Sequence, residues 1–103
     1  MNNISISNVF IADTFIKRFL GYMFRKKPHH EAIMIMPCNS IHTFFMKFHI
    51  DVLFLDEEMK VIKKLENLKG GRIILPVRGA KSVIEAGASS FSKIKVGDYI
   101  YMG

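Results

Sequence analysis

The chain has 103 residues, of which 50% are hydrophobic and 23% charged, which excludes a disordered chain and an enzyme with a separate cofactor domain. Fifteen Lys and Arg residues against nine Asp and Glu residues give a net charge of +6, a balance that permits anionic partners without specifying one. Cys38 is the single cysteine, and no stretch reaches the roughly 18–20 apolar residues of a membrane helix. The N-terminus lacks a signal-peptide pattern. We therefore predict a soluble cytoplasmic protein with one domain over residues 1–103.

The N-terminal part of the chain predicts a strand followed by the only helix. Residues 4–11 contain Ile4, Ile6 and a short apolar run, which together fit a first strand. Asp13 or Thr14 can cap the helix that follows, and Pro28 ends it. The helix has one apolar stripe, formed by Phe15, Ile16, Phe19, Leu20 and Met23.

The rest of the chain shows strand patterns separated by turn signals. The predicted strands are 32–36, 41–48, 52–55, 61–65, 73–75, 81–86 and 99–102. Residues 56–60 predict a hairpin turn, Gly70-Gly71 a loop, and Gly97 a turn with positive φ. Residues 89–94 fit a single helical turn. We predict a mainly β fold: a compact single-domain β-sandwich or β-barrel of about seven short strands with one N-terminal helix.

Residues 42–51 hold the most informative pattern. If this segment is one straight strand, alternation divides its side chains between two faces. One face, expected in the core, comprises His42, Phe44, Met46, Phe48 and Ile50. The other comprises Thr43, Phe45, Lys47, His49 and Asp51. An aromatic ring beside hydrogen-bond donors, a cation and a carboxylate suits the floor of a ligand groove. A solvated outer face of an antiparallel sheet explains the same pattern and is more common.

The pattern of His and Cys residues gives little support for a catalytic site or a metal site. Of the His and Cys residues, only Cys38 and His42 have the tight spacing of a zinc-ligand pair, so we predict no metal and no cofactor. A nucleophilic Cys38 would need His42 or His49 as its base, whereas a lone cysteine beside Pro37 is more often inert. We assign no catalytic residue, and the question of enzymatic activity stays open.

Basic residues also lie beside glycines and aromatic rings. Residues 70–72 and 78–81 combine glycines with cations, but neither is a known phosphate-binding motif, and turns between strands explain them. Phe and Tyr interleaved with Lys and Arg, together with the basic stretch 25–27, permit nucleic-acid binding. Since most of the aromatic residues are expected in the core, nucleic acid is permitted but not favoured.

Taken in order, several segments resemble the motifs of a bacterial and archaeal family, the domain of unknown function 192. These segments are 18–25, 42–47, 51–56, 68–72, 77–81, 82–85 and 94–98. The resemblance extends from about residue 8 to residue 101. It implies a compact, mainly β sandwich or barrel with a short helix, and no reaction type. Phe45 stands where the family prefers Trp, and Phe48-His49 stands where Asn-Thr is common.

Our functional hypothesis is a non-catalytic β domain that binds a small polar or anionic ligand, or a protein partner, through a groove. The groove residues we predict are Arg18, Thr43, Phe45, Lys47, Asp51, Arg78 and Glu85. A structural ion pair, joining Arg18 or Arg78 to one of the two carboxylates, is the alternative role for the charged members. The alternative functions are a nucleic-acid-binding small β-barrel and an enzyme with unrecognised residues.

Overall fold

Nine short strands form the regular structure of the computed structural model, which describes residues 2–6, 9–12 and 32–102. They are β1 (Asn3–Ile6), β2 (Val9–Ala12), β3 (Ala32–Ile35), β4 (Ile41–His42), β5 (Ile50–Leu55), β6 (Val61–Leu68), β7 (Ile73–Ile74), β8 (Ser82–Gly87) and β9 (Tyr99–Met102). The predicted helix at 13–28 lies outside the described residues.

The strands form one sheet of five and two ribbons of two. The large sheet has the order β2-β3-β8-β5-β6, with β2 parallel to β3 and the other neighbours antiparallel. The ribbons are a parallel pair of β1 with β9 and an antiparallel pair of β4 with β7. Since β2 and β6 lie at opposite edges of the sheet, the strands that the structure describes form no closed barrel. The described part is one compact, mainly β domain.

Central strands β5 and β8 are buried along nearly their whole length because each carries an apolar run with few interruptions. Alternation sends Ile50, Val52 and Phe54 to one face of the sheet. Leu53 and Leu55 point to the opposite face, where they pack with residues of β1, β9 and the 91–94 turn. The sheet therefore has a hydrophobic cluster on each face, and each cluster needs its own cover.

The hairpin between β5 and β6 forms where the sequence predicts it. The carboxylate oxygen Oδ1 of Asp56 accepts hydrogen bonds from the amides of Glu58 (2.9 Å) and Lys60 (3.0 Å). This pattern is the usual way in which Asp initiates a turn. Gly97, with a φ of +100°, also confirms the predicted turn before β9.

Two of the predicted strands are wrong in extent. Residues 4–11 form two strands, β1 and β2, which belong to different parts of the fold. The run 41–48 is a strand only at Ile41–His42, because the chain turns at Phe44 and Phe45. The two faces expected from alternation along 42–51 therefore do not exist, and Phe44, expected in the core, is partly exposed.

Candidate ligand-binding surface

Two chain segments of shared composition lie together over one face of the five-stranded sheet. Residues 36–49 and 69–81 contain five Lys and Arg residues and no Asp or Glu. All five basic residues are exposed: Lys47, Lys69, Arg72, Arg78 and Lys81. We call these two segments the cationic layer. Charges of one sign on neighbouring loops add to a potential that attracts anions within about 8–10 Å at moderate ionic strength.

The layer is held to the sheet by its apolar residues. Ile41 and Ala80 are buried in the same hydrophobic cluster as Ile50, Val52 and Phe54 of β5. Further side chains from the layer pack against this cluster, namely Cys38, Met46, Phe48, Ile74 and Val77. The basic side chains are left on the outside, because the apolar residues of the same segments face the sheet.

Hydrogen bonds join the two segments along most of their length. The Cys38 amide donates to the Lys81 carbonyl (3.0 Å), and the Val77 amide donates to the Asn39 carbonyl (2.8 Å). Strands β4 and β7 continue the contact through the pairs Ile41–Ile74 and His42–Ile73. We call this pair of strands the β4–β7 ribbon. The five basic residues therefore belong to one layer although the two segments are far apart in sequence.

Thr43 is the residue that ties the two loops at the end of the ribbon. Its hydroxyl Oγ1 donates to the Lys69 carbonyl (2.8 Å) and accepts from the Arg72 amide (2.8 Å). Its own amide donates to the Arg72 carbonyl (2.8 Å), and its carbonyl accepts from the Gly71 amide (3.0 Å). The side chain is fully buried. Thr43 thus positions Arg72 instead of facing a ligand.

Gly70 and Gly71 explain why the second loop can approach so closely. A Cβ at Gly70 would lie 2.6 Å from the Met46 carbonyl oxygen, a distance that a side chain cannot tolerate against backbone. Gly71 has a φ of +80°, which favours glycine. The pair is therefore needed for the packing of the loops, in agreement with its interpretation as a turn.

Phe45 combines an exposed ring with a strained backbone. It follows Phe44 in a tight turn in which the Met46 amide donates to the Thr43 carbonyl (3.3 Å). Its φ of +63° is one that such turns normally give to Gly or Asn, and it costs other residues about 1–2 kcal/mol. Because the ring is 62% exposed, core packing offsets little of this cost. The strain is thus carried by a residue whose ring lies mostly outside the core.

A shallow groove runs along the outer face of the β4–β7 ribbon. Ile41 and Ile74 point towards the sheet, so alternation places His42, Ile73 and Leu75 on the outside. The groove has a volume of about 290 Å³. Its outward lining consists of Ser40, His42, Phe44, Ile73, Leu75 and Pro76. The rings of His42 and Phe44 stack with centroids 5.3 Å apart. An apolar groove thus lies within the cationic layer.

Asp51 has a structural environment on the other face of the sheet. It lies on β5 beside Leu53 and Leu55 of that face and is fully buried. Its Oδ1 accepts from the Asn67 amide (2.9 Å), and its Oδ2 accepts from the Phe91 amide (3.0 Å). The carboxylate therefore fixes the end of β6 and the 88–94 turn, and the layer is on the far side of the sheet.

Glu85 is buried at the centre of the sheet on the same face as the layer. In β8 it is paired with Ile33 on one side and with Val52 on the other, and both belong to the cluster under the layer. Burial raises the pKa of this carboxyl from 4.5 to about 8. Asp51 and Glu85 consequently face opposite sides of the sheet and do not meet in one site.

Among the seven predicted groove residues, the structure brings four into the cationic layer: Thr43, Phe45, Lys47 and Arg78. Arg78 lies in the turn at the opposite end of the ribbon and forms no ion pair with Asp51 or Glu85 in the part of the chain that is described. Arg18 lies outside the described residues. The predicted ion pair from Arg78 is therefore wrong, while that from Arg18 stays a prediction.

The predicted groove lacks five exposed residues of the layer: Lys69, Arg72, Ile73, Leu75 and Lys81. Of these, Arg72 and Lys81 belong to the segments 70–72 and 78–81, which the sequence analysis interprets as turns. The signal that could have found them is the lack of acidic residues in 69–81, a segment that pairs with another of the same kind. Within the described ranges, no group of three His, Cys, Asp or Glu side chains is placed to hold a metal ion. Those residues also contain no helix of a length and apolarity that would cross a membrane.

Comparison with known families establishes the family membership that the sequence motifs only suggested. The model of the family DUF192 (Uncharacterized ACR) matches residues 2–102. The chain belongs to the DUF192 family. A DUF192 relative from Pyrococcus abyssi, named as a UPF0127 protein, is 43% identical over 97 residues, or 87% of this chain and 81% of the relative. A UPF0127 protein of Thermococcus sibiricus is 38% identical over 87% of this chain and 62% of its own length.

Two solved structures share the fold described above. A protein of unknown function from Novosphingobium aromaticivorans superposes with a TM-score of 0.74 at 20% identity, covering 86% of this chain and 70% of that one. A protein from Sinorhizobium meliloti, named as a candidate transcription regulator, gives a TM-score of 0.75 at 17% identity over 86% and 76%. At these identities the likeness concerns the fold alone.

Proposed function

We propose that this protein is a non-catalytic binding domain that holds a negatively charged ligand or protein segment against its cationic layer. The observation that carries the proposal is the charge of the layer, with five exposed basic residues and no acidic residue in the two paired segments. Because the two segments hold no carboxylate of their own, none of their side chains competes with an anion from solution for these cations. The cytoplasmic location stays a prediction that rests on the single cysteine.

Two features of the layer favour binding over acid–base chemistry. The ring of Phe45 and the groove beside Phe44 offer apolar contact next to the charges, which suits a ligand that is partly apolar. The layer itself carries no carboxylate, and the two buried carboxylates, Asp51 and Glu85, face opposite sides of the sheet. These two carboxylates therefore form no pair at this surface for general acid–base work.

The test is an NMR titration of the native protein with two probes, hexaglutamate and inorganic phosphate. We expect the shifted amide signals to cluster at residues 43–47 and 69–73. The double variant Lys47→Glu with Arg72→Glu should weaken binding of the probe that binds by about tenfold or more. The control Lys63→Glu with Lys93→Glu makes the same change in charge at exposed residues outside the layer and should have little effect.

Binding that weakens equally in both double variants would show that net charge, not the layer, attracts the probe. Shifts that cluster away from residues 43–47 and 69–73 would also contradict the proposal, as would the lack of any shift with either probe. The native fold of each variant is checked by circular dichroism before the titration.

Nucleic acid is a second candidate because the exposed rings of Phe44 and Phe45 lie on the same surface as the cations. Such rings can stack on bases while Lys and Arg contact phosphates. The similar structure named as a candidate transcription regulator supports this reading only through its fold. The measurement is binding of a short single-stranded RNA at about 50 and 200 mM salt. Tight binding at low salt that is lost in Phe45→Ala would favour nucleic acid over an acidic ligand.

A further inference from the structure

The outer edge of strand β7 has no neighbouring strand in the part of the chain that the structure describes. Among the described strands β7 pairs with β4 alone, and nothing continues the ribbon beyond it. Ile73 of β7 is 62% exposed, and Leu75, the first residue after the strand, is 75% exposed. An open strand with exposed apolar side chains is a template on which another strand can pair.

The hydrogen-bond pattern shows which backbone groups point outward. The register of the ribbon pairs Ile41 with Ile74 and His42 with Ile73, and the amide of Thr43, directly after β4, donates to the Arg72 carbonyl (2.8 Å). This bond places Ile41 and Ile74 at a hydrogen-bonded position of the ribbon and Ile73 at the position between. In an antiparallel pair, hydrogen-bonded residues alternate with residues whose amide and carbonyl point away from the partner. The amides and carbonyls of Ile73 in β7 and of Leu75, directly after it, therefore point away from β4.

Charge decides what kind of strand fits this edge. Lys69 and Arg72 precede β7, and Arg78 and Lys81 follow it, so both ends of the edge are positive. A second copy of this chain is disfavoured, because edge-to-edge pairing would bring the same cations of two molecules together. An occupant with acidic residues at both ends of an apolar centre meets the edge with complementary charge.

We propose, building on the proposed function, that the β7 edge binds an extended acidic peptide segment of a protein partner by β-strand addition. The outward amides and carbonyls of Ile73 and Leu75 pair with the peptide backbone, which is a known mode of peptide recognition. Every second side chain of the peptide lies over the groove beside His42 and Phe44. Acidic residues at the two ends of the peptide meet Arg72 and Arg78.

The probe that tests this proposal is the peptide Glu-Asp-Leu-Val-Leu-Asp-Glu, with the same residues in the order Leu-Leu-Val-Glu-Glu-Asp-Asp as its control. Two further versions carry N-methyl groups on alternate central residues, one on the Val and the other on both Leu residues. Only one of these two sets of amides can face β7, whatever the direction of the peptide. We therefore expect one methylated version to bind about tenfold more weakly than the other.

A pair of protein variants provides the second readout. Ile73→Pro removes the outward amide without removing a hydrogen bond of the ribbon, and edge strands tolerate such a proline. Ile73→Thr loses the apolar side chain and keeps the amide. Ile73→Pro should lose peptide binding by about tenfold relative to Ile73→Thr. On addition of the unmodified peptide to the native protein, amide hydrogen exchange at Ile73 and Leu75 should slow.

The outcomes separate this proposal from the proposed function. Equal binding of the two methylated peptides, with unchanged exchange at Ile73 and Leu75, overturns strand addition. If hexaglutamate still binds the layer in that case, the proposed function survives alone. If neither hexaglutamate nor the peptide binds, both fail. A dimer of the protein without peptide, abolished by Ile73→Pro, would identify a second copy as the occupant and also overturn the proposal.

Discussion

Strands β5 and β8 are buried on both faces, whereas the β4–β7 ribbon exposes every second side chain to solvent. Both regions are rich in Ile, Leu and Val, and they lie in adjoining layers of one small domain. In the sheet the apolar side chains pack against each other and determine stability. In the ribbon, Ile73 and Leu75 contribute little to the core, and basic residues surround them. The difference indicates that the sheet maintains the fold, and it agrees with the proposal that the layer meets a partner.

Replacing one leucine in each region gives the largest expected contrast. Leu53→Ala creates a cavity in the buried sheet and should lower the free energy of unfolding by about 2–5 kcal/mol. Leu75→Ala removes the same atoms from an exposed site and should change it by less than about 0.5 kcal/mol. Urea unfolding followed by circular dichroism measures both values. Similar losses in the two variants would mean that the ribbon belongs to the core.

The carboxyl of Glu85 makes the stability of the sheet depend on pH. Its pKa is raised from 4.5 to about 8 by burial, so between these values the folded protein retains a proton that the unfolded chain releases. The stabilisation is complete below pH 4.5 and is lost as the pH rises to about 8. The free energy of unfolding should fall over this window by up to about 1.4 kcal/mol per pH unit.

Glu85→Gln removes the titrating group and should flatten that dependence. The measurement is urea unfolding of the native protein and the variant at several pH values between about 5 and 8. An unchanged slope in the variant would assign the pH dependence to another group. Glu57→Gln, at an exposed position in the hairpin turn, is the control.

Asp51 tests whether the far face of the sheet depends on a charged hydrogen-bond acceptor. Asn in its place offers one acceptor oxygen to the two amides of Asn67 and Phe91, so one amide stays unsatisfied. Asp51→Asn should therefore cost about 1–3 kcal/mol of unfolding free energy. Hydrogen exchange should quicken at Asn67 and Phe91 while residues 43–47 are unaffected. Loss of anion binding in a folded Asp51→Asn protein would show that the two faces are coupled.

The smallest expected effect distinguishes the two phenylalanines of the layer. Phe45→Gly removes a side chain from a backbone with positive φ and should stabilise the protein by about 0.5–1 kcal/mol. Phe44→Gly makes the same change where φ is not positive and should destabilise it by a similar amount. Thermal unfolding compares the two. If Phe45→Gly also weakens binding of the acidic peptide, the strained backbone at Phe45 serves partner binding. If both variants change the stability in the same direction, the backbone at Phe45 is not strained.

Local patterns in the sequence were sufficient to predict most of the sheet. The predicted strands at 32–36 and 52–55 correspond to β3 and β5, and the hairpin signal at 56–60 corresponds to the β5–β6 turn. Each of these elements depends on residues close in sequence. The run 41–48 misled the prediction because its alternation continues past His42. The turn that interrupts it is fixed by Thr43 bonding to Lys69 and Arg72, and no local pattern contains that contact.

Only part of the candidate site could be predicted, again because contacts between residues far apart in sequence leave no local pattern. Phe45 and Lys47 stood out beside each other in one segment, but Arg72 and Ile73 belong to a second segment that joins them only through non-local pairing. Asp51 was grouped with Phe45 because a straight strand would place both on one face, and the turn places them on opposite sides of the sheet. Only the tertiary structure separates an exposed charge from a buried one here.

The most direct test of the account is the NMR titration of the native protein with the peptide Glu-Asp-Leu-Val-Leu-Asp-Glu. We expect the shifted amide signals to map to residues 43–47 and 69–75, with Ile73 and Leu75 among the largest, and to weaken in the Lys47→Glu, Arg72→Glu double variant. Shifts that map instead to the opposite face of the sheet, around Phe91, or binding that is indifferent to the double variant, would contradict a partner-binding role for the cationic layer.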